Sequence, residues 1–418
     1  MTRPLVVDGA ALRRDLGALV RMRSVTGDED AIAANLADRL EALGLEVELF
    51  HPDPAAMRDD PAWPGEEMPR ATLPVVIGRA GRPGGRRLIL SGHTDVVPPG
   101  DPGTWSDGPW SGGIRDGRLY GRGACDMKGG IAAILAAVRA LRTTGDLERL
   151  DGELVVAFVP SEEDGGPGTL AAIRAGVTGD LAVITEPSGL DIVVAHAGAI
   201  TFRLTVPGRA AHASRRTEGV SALDNLHTIV RALEEDEVAR NVQETHPLMR
   251  SLGMPYPTMI GIVSGGEWAS TVMDRVVADG RYGVRLGQAP EEAESELRAC
   301  VAAACEADPF LRDHPAGVEI VGARFGSSSV PADHPLPEGL AAAARRVLGR
   351  EPARIGVPYG CDMRLFISVG DTPCVVFGPG DVRLAHGADE SVPLDEVEAC
   401  ATVLATWVRS QIGSGDPA

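Results

Sequence analysis

The sequence predicts an α/β fold: a central mixed sheet flanked by helices, interrupted by a smaller βαββαβ domain. Three observations carry this. Apolar runs of strand length alternate with helix-period stretches up to about residue 194. The order then changes to strand (199–206), helix (219–236), strand (257–264), strand (271–286), helix (290–306) and strand (317–323). That succession suits a four-stranded sheet with two helices on one face. Beyond it the first rhythm resumes, so one domain is expected from 1–194 and 327–418, with 195–326 inserted into it.

The elements follow in order. Asp28 is the expected N-cap of a helix whose Ile32, Leu36, Leu40 and Leu43 share one face, stopped by Gly44. Strands are expected at 45–50, 73–78 and 87–91, and the Pro-rich, acidic stretch 51–70 reads as a surface insertion. Gly129-Gly130 opens an alanine-rich helix to about Arg142, and strands follow at 153–160 and 180–185. After the insert come a helix (336–349), a strand (373–378) and an amphipathic helix (393–411).

Composition narrows the function classes. A chain of 418 residues exceeds one compact core, and a 44% hydrophobic content is that of a globular protein. No run approaches the ~18–20 apolar residues of a membrane span. The start, MTRPLVVDGAALRRD, is too quickly charged for a secretion signal, and a cytoplasmic location is expected. A net charge of −19 argues against nucleic acid and anionic membrane as partners. The six cysteines form no CxxC pair, which excludes a zinc ribbon or a thioredoxin-type motif and leaves buried thiols as the expectation. Lys128 is the single lysine.

Chemistry-bearing residues gather at expected strand ends. Strand 87–91 runs into His93 and Asp95, strand 153–160 into Glu162 and Glu163, strand 180–185 into Glu186, and strand 373–378 leads to His386. Asp126 stands just before the glycine-opened helix. In open α/β sheets, loops at the carboxyl ends of strands converge on one crevice. Singly, each residue has a plain alternative: a surface histidine, a helix-capping aspartate, a strand-ending glutamate. Together they are hard to read as coincidence. Nitrogen and carboxylate donors without thiolate suit zinc, cobalt or manganese. Two cations ~3.5–4 Å apart would make ligands of the mutually repelling Glu162-Glu163-Asp164 run.

The motifs LSGHTDVVPPG, GRLYGRGACDMKGG, FVPSEEDGG, ITEPS and FGPGDVRLAHGADE resemble, in order, those of a dinuclear zinc hydrolase family. Its members include aminoacylase, acetylornithine deacetylase, succinyl-diaminopimelate desuccinylase and carboxypeptidase G. The resemblance implies a zinc-peptidase-like catalytic domain and an inserted lid and dimerisation domain. It assigns His93 and Glu186 to one metal, Glu163 and His386 to the other, and Asp126 to both. It gives Glu162 the general acid/base role, has Asp95 orient His93, and makes the Asp126–Met127 peptide cis. The cofactors it implies are two divalent ions, zinc first and cobalt second.

The resemblance extends into the insert. VPGRAAHASRRTEGVSALDNL places His212 where the family's lid histidine reaches the partner subunit's active site and steadies an oxyanion, which implies a homodimer. IVSGGEWASTVMDRVVADGRYGV assigns Arg281 to the substrate's carboxylate; Ser270 and Met273 stand where the family usually has Asn and Pro, a departure that points to altered specificity. In YGCDMRLF, Arg364 has two readings, a carboxylate binder or a structural arginine paired with an acid. The function expected is hydrolysis of an N-acyl-L-amino acid, in the manner of the acetylornithine deacetylase and desuccinylase branch. A dipeptidase or carboxypeptidase is the alternative, since the metal motifs do not separate acyl-amino acids from dipeptides. A catalytically silent binding protein is the third reading, disfavoured by the presence of Glu162 and all five ligands.

Overall fold

Buried on both faces, the run Leu88–Leu90 lies in the middle of a sheet, and that burial explains its unbroken apolar character. The computed structural model describes residues 3–413; residues 1–2 and 414–418, at the ends of the expected outer domain, lie outside them. The chain forms two compact units. One comprises residues up to Val194, Val330–Ile355 and the chain from Asp362 on; the other comprises Ala195–Ser329 with Gly356–Cys361.

In the first unit the strands lie side by side in the order Glu46–Phe50, Val75–Gly81, Gly152–Val159, Arg86–His93, Leu181–Ile184, Cys374–Val376. The last four run parallel to one another, whereas the first two pair antiparallel, so the sheet is mixed. Three of the parallel strands are buried along their length and Arg86–His93 from Leu88 on, and helices cover them. Gly129–Thr144 is apolar nearly all round because it packs against both Gly9–Arg21 and Leu394–Ile412. A separate three-stranded sheet, in the order Ser391–Pro393, Arg118–Tyr120, Gly113–Arg115, joins two segments more than 260 residues apart.

The early helix begins at Asp30 and its N-cap is Glu29, not Asp28. The reason is that Glu29 turns inward: its carboxylate accepts from Gly27 N (2.9 Å) and meets the Arg70 guanidinium at 2.9 Å. Arg70 also corrects the reading of 51–70 as purely surface, because its side chain is only 2% exposed.

The second unit holds a four-stranded antiparallel sheet, ordered Thr258–Gly265, Arg275–Val284, Gly198–Pro207, Gly317–Phe325. The helices Ala222–Val242 and Pro290–Ala307 close its core, with Leu226, Ile229, Leu233, Leu297 and Val301 against Phe202, Leu204 and Val276. This is the two-layer arrangement that the strand–helix order predicts.

Candidate metal centre

Parallel strands of the first unit stop nearly level. His93 pairs in register with Val159, three residues before Glu162, and Ser91 pairs with Ile184, two before Glu186. Val376 pairs with Ile184 from the other side, so the segment carrying His386 leaves the sheet at the same edge. Asp126 arrives from a turn ahead of the Gly129–Thr144 helix. That helix presses so closely on the sheet that a Cβ on Gly130 would come 2.1 Å from the Thr185 carbonyl oxygen. The Asp126–Met127 peptide is cis.

The side chains converge. His93 Nε2 lies 3.0 Å from Asp126 Oδ1 and 3.3 Å from Glu186 Oε1. His386 Nε2 lies 3.1 Å from Glu163 Oε2 and 3.5 Å from Asp126 Oδ2. Asp126 therefore turns one oxygen toward each imidazole. Donor atoms of His93, Asp126 and Glu163 all fall within 4.8 Å of one another, and so do those of His93, Glu162 and Glu186. Glu163 Oε1 is buried with no hydrogen-bond partner. A buried, orphaned carboxylate oxygen among nitrogen and oxygen donors fits a divalent cation.

Electrostatics agree with this. Burial raises the Glu162 carboxyl well above its usual range, helped by Glu186 and Asp362. Burial also pushes Glu186 up to about 8, with Asp126 adding to the effect. Burial opposes charging of His93, yet the carboxylates of Glu186, Asp126 and Asp95 outweigh it and raise the imidazole well above its usual value. Hydrogen bonds with Asp126 and Glu163 push His386 up to about 10. Without a metal, protons supply the positive charge that so many carboxylates require.

The acidic triplet divides between two environments. Glu162 and Glu163 face the cluster, and their backbone N–H groups donate to Asp95 Oδ1 (3.0 Å) and Oδ2 (3.2 Å). Asp164 turns away: it accepts from Ser161 Oγ and lies 3.6 Å from Arg70 Nη2. Asp95 lies against the second nitrogen of His93 through both its main chain and its side chain. His93 Nδ1 meets the main-chain oxygen of Asp95 at 2.9 Å, whereas the carboxylate is 3.6 Å away. Its carboxylate also holds the Glu162–Glu163 turn, with Thr26 Oγ1 donating to it at 3.1 Å.

The remaining expected residues lie elsewhere. Arg364 is buried, its guanidinium donating to the Gly165 carbonyl and lying 3.8 Å from Asp362 Oδ1. His212 and Arg281 belong to the second unit. His212 is exposed; its Nδ1 accepts from Ser214 N (3.2 Å), which assigns the proton of the neutral ring to Nε2. Arg281 is exposed on the Arg275–Val284 strand, its guanidinium 5.6 Å from the centre of the Phe325 ring. Met273 packs against the core of that unit. Lys128 is fully buried, donates to the Met22 carbonyl at 2.7 Å, and has its pKa lowered by burial to about 7.

Sequence reasoning overlooked two buried arginines and the acids they face. Arg70 answers Glu29 and Asp164, and nothing in its Pro-rich surroundings signals this. Arg122 and Glu390 face each other with side chains 2% and 1% exposed; both lie inside the quoted motifs, and that position was the available signal. Replacing Arg70 with Met leaves Glu29 and Asp164 buried without their cation. Such a loss costs about 3–5 kcal/mol. A lowered urea midpoint is the expected result, and an unchanged one shows that these acids are satisfied otherwise.

A model of peptidase family M20/M25/M40 matches residues 89–410. The succinyl-diaminopimelate desuccinylase of Gluconacetobacter diazotrophicus is 29% identical, over 98% of either chain. The acetylornithine deacetylase of Photorhabdus laumondii is 28% identical over 89% of this chain and 88% of that one. Among solved structures, an M20 family metallo-carboxypeptidase from Sulfolobus solfataricus superposes with a TM-score of 0.74 at 17% identity, covering 95% of this chain and 98% of its own. At that identity the likeness speaks for the fold.

Proposed function

The chain belongs to peptidase family M20/M25/M40, and on that premise we propose that it hydrolyses the amide bond of an N-acyl-L-amino acid, using two divalent metal ions. One observation carries the proposal: two imidazoles and the carboxylates of Asp126, Glu163 and Glu186 meet beyond the carboxyl ends of the central strands, with Glu163 Oε1 left unpartnered. His93 and Glu186 would hold one ion, Glu163 and His386 the other, and Asp126 both. The nitrogen and oxygen donor set favours zinc, with cobalt as a substitute. Ions bound there supply a water of lowered pKa and a polarised amide carbonyl.

The chain's own groups complete the reaction. Glu162, buried and held by Asp95 through its backbone, takes the proton from the attacking water and returns one to the departing nitrogen. In the homodimer proposed below, His212 of one copy would present its Nε2–H as oxyanion donor to the site of the other, and Arg281 would offer its guanidinium fork to the substrate carboxylate. The buried contacts of Arg364 favour its structural reading.

The names of the sequence relatives, a desuccinylase and a deacetylase, favour acyl-amino acids over dipeptides. A screen of N-acetyl and N-succinyl amino acids against dipeptides, with added Zn²⁺ or Co²⁺, tests this. Turnover of the acyl-amino acids is expected. Turnover of dipeptides alone would make the protein a dipeptidase or carboxypeptidase. A metal-free protein inert toward every amide would be a binding protein.

We also propose a cytoplasmic homodimer. All six cysteines are free, as a reducing compartment requires. Among the described residues no helix is long and apolar enough to cross a membrane. Thr258–Gly265 is an edge strand exposing Met259, Ile262 and Val263, with Trp268 74% exposed just beyond. An apolar edge invites pairing with a second copy. Light scattering should give twice the chain's mass, and Ile262→Arg should halve it; a wild-type monomer rejects the dimer.

A further inference from the structure

We propose that Arg122 and Glu390 are positioning residues that tie Asp126 to His386 and so set the occupancy of the Glu163–His386 metal position. This rests on the dinuclear reading above. Glu390 Oε1 accepts from two successive backbone N–H groups, Cys125 N at 2.9 Å and Asp126 N at 3.0 Å. Its other oxygen receives Arg122 Nη1. Arg122 Nη2 in turn donates to the main-chain oxygen of His386 at 3.1 Å. One carboxylate and one guanidinium therefore grip the backbone of Asp126 and His386, two of the three residues whose side chains meet at that position.

The surroundings make the grip rigid. Strand Ser391–Pro393 pairs with Arg118–Tyr120, and Gly121 N donates to the Glu390 carbonyl at 2.9 Å, so both segments enter from one small sheet. The Trp105 ring lies 5.2 Å from the Arg122 guanidinium carbon and covers it. His386 needs such support. Its backbone is in the left-handed region at φ 62°, which only a few per cent of residues other than glycine adopt, and its side chain is half exposed. His93, by contrast, ends a central strand and takes its orientation from the sheet. The grip thus bears on one metal position more than on the other.

Two variants test this. Glu390→Gln keeps an oxygen for the two N–H groups but loses the charge that holds Arg122. Arg122→Lys keeps a cation for Glu390 but has no second nitrogen to reach His386. In metal-free protein, hydrogen exchange over residues 121–128 and 384–389 should accelerate about tenfold or more in Glu390→Gln. In Arg122→Lys only 384–389 should accelerate. Zn²⁺ titration should show the two binding steps weakened unequally, one about 10–100-fold in both variants and the other, through the shared Asp126, by less.

Unchanged exchange and two unchanged binding steps in a folded variant would overturn the proposal. Equal weakening of both steps would do the same, because it signals general loosening. A wild-type protein taking up fewer than two ions would instead strike the dinuclear reading; the exchange measurement would then decide the grip alone. If Glu390→Gln does not fold, Arg122→Lys carries the test.

Discussion

Glu162→Gln is expected to lower turnover roughly 10²–10⁴-fold while metal content and melting temperature stay near wild type. The substitution removes the ionisable group and little else. The Glu162 backbone is held by Asp95 Oδ1, and the side chain is buried, so Gln has the same anchorage and volume. Burial raises the Glu162 carboxyl above its usual range, the direction that suits a proton carrier. The same side chain lies within 4.8 Å of the donor atoms of His93 and Glu186, a position also open to a ligand. Metal analysis separates the two roles. Loss of one ion in Glu162→Gln would make it a ligand, and unchanged turnover would remove it from the proton path.

Chelation of the metal should lower the melting temperature and make it fall as pH rises. Each ion bound at 100 times its Kd adds about 2.7 kcal/mol to stability. In metal-free protein, Glu186 has its pKa raised from 4.5 to about 8, so its stabilising contribution is whole below 4.5 and is lost as pH climbs through 8. His386, raised from 6.5 to about 10, acts in the same direction over a higher window, reduced by its half-exposed setting. Asp126 acts oppositely: burial opposes its charging, but its bonds to His386 and His93 lower its pKa. Its contribution is present above 3.8 and fades only in strong acid, outside this range. Metal-loaded protein should show the reverse slope, because ions bind deprotonated ligands. Thermal melts across this range, with and without Zn²⁺, give the answer. A metal-free melting temperature that rises with pH would show that the carboxylates do not crowd as described.

The candidate ligands were legible because each stands at a strand end or helix start, where local pattern and chemistry coincide. His93 follows an unbroken apolar run, and Glu186 closes another. Partners with no local signature escaped. Arg70 lies in a stretch that reads as surface, and only its burial beside Glu29 and Asp164 makes it part of the site's foundation. The Glu29 cap was missed for the same reason: a residue drawn inward by a distant cation does not announce this in its neighbours. The sequence places Asp95 beside His93, where it stands, but gives no sign that its carboxylate also holds the Glu162–Glu163 turn.

Periodicity, strand-end carboxylates and ordered motifs thus determined the layered architecture and the family, because these depend on residues near one another in the chain. Tertiary structure alone decided which acid points where. It turned Asp164 from the cluster, set one Asp126 oxygen before each imidazole, and joined Arg122 to Glu390 across 268 positions. The physical reason is that a carboxylate's role depends on the cation it meets, and in a folded chain that cation is most often remote in sequence.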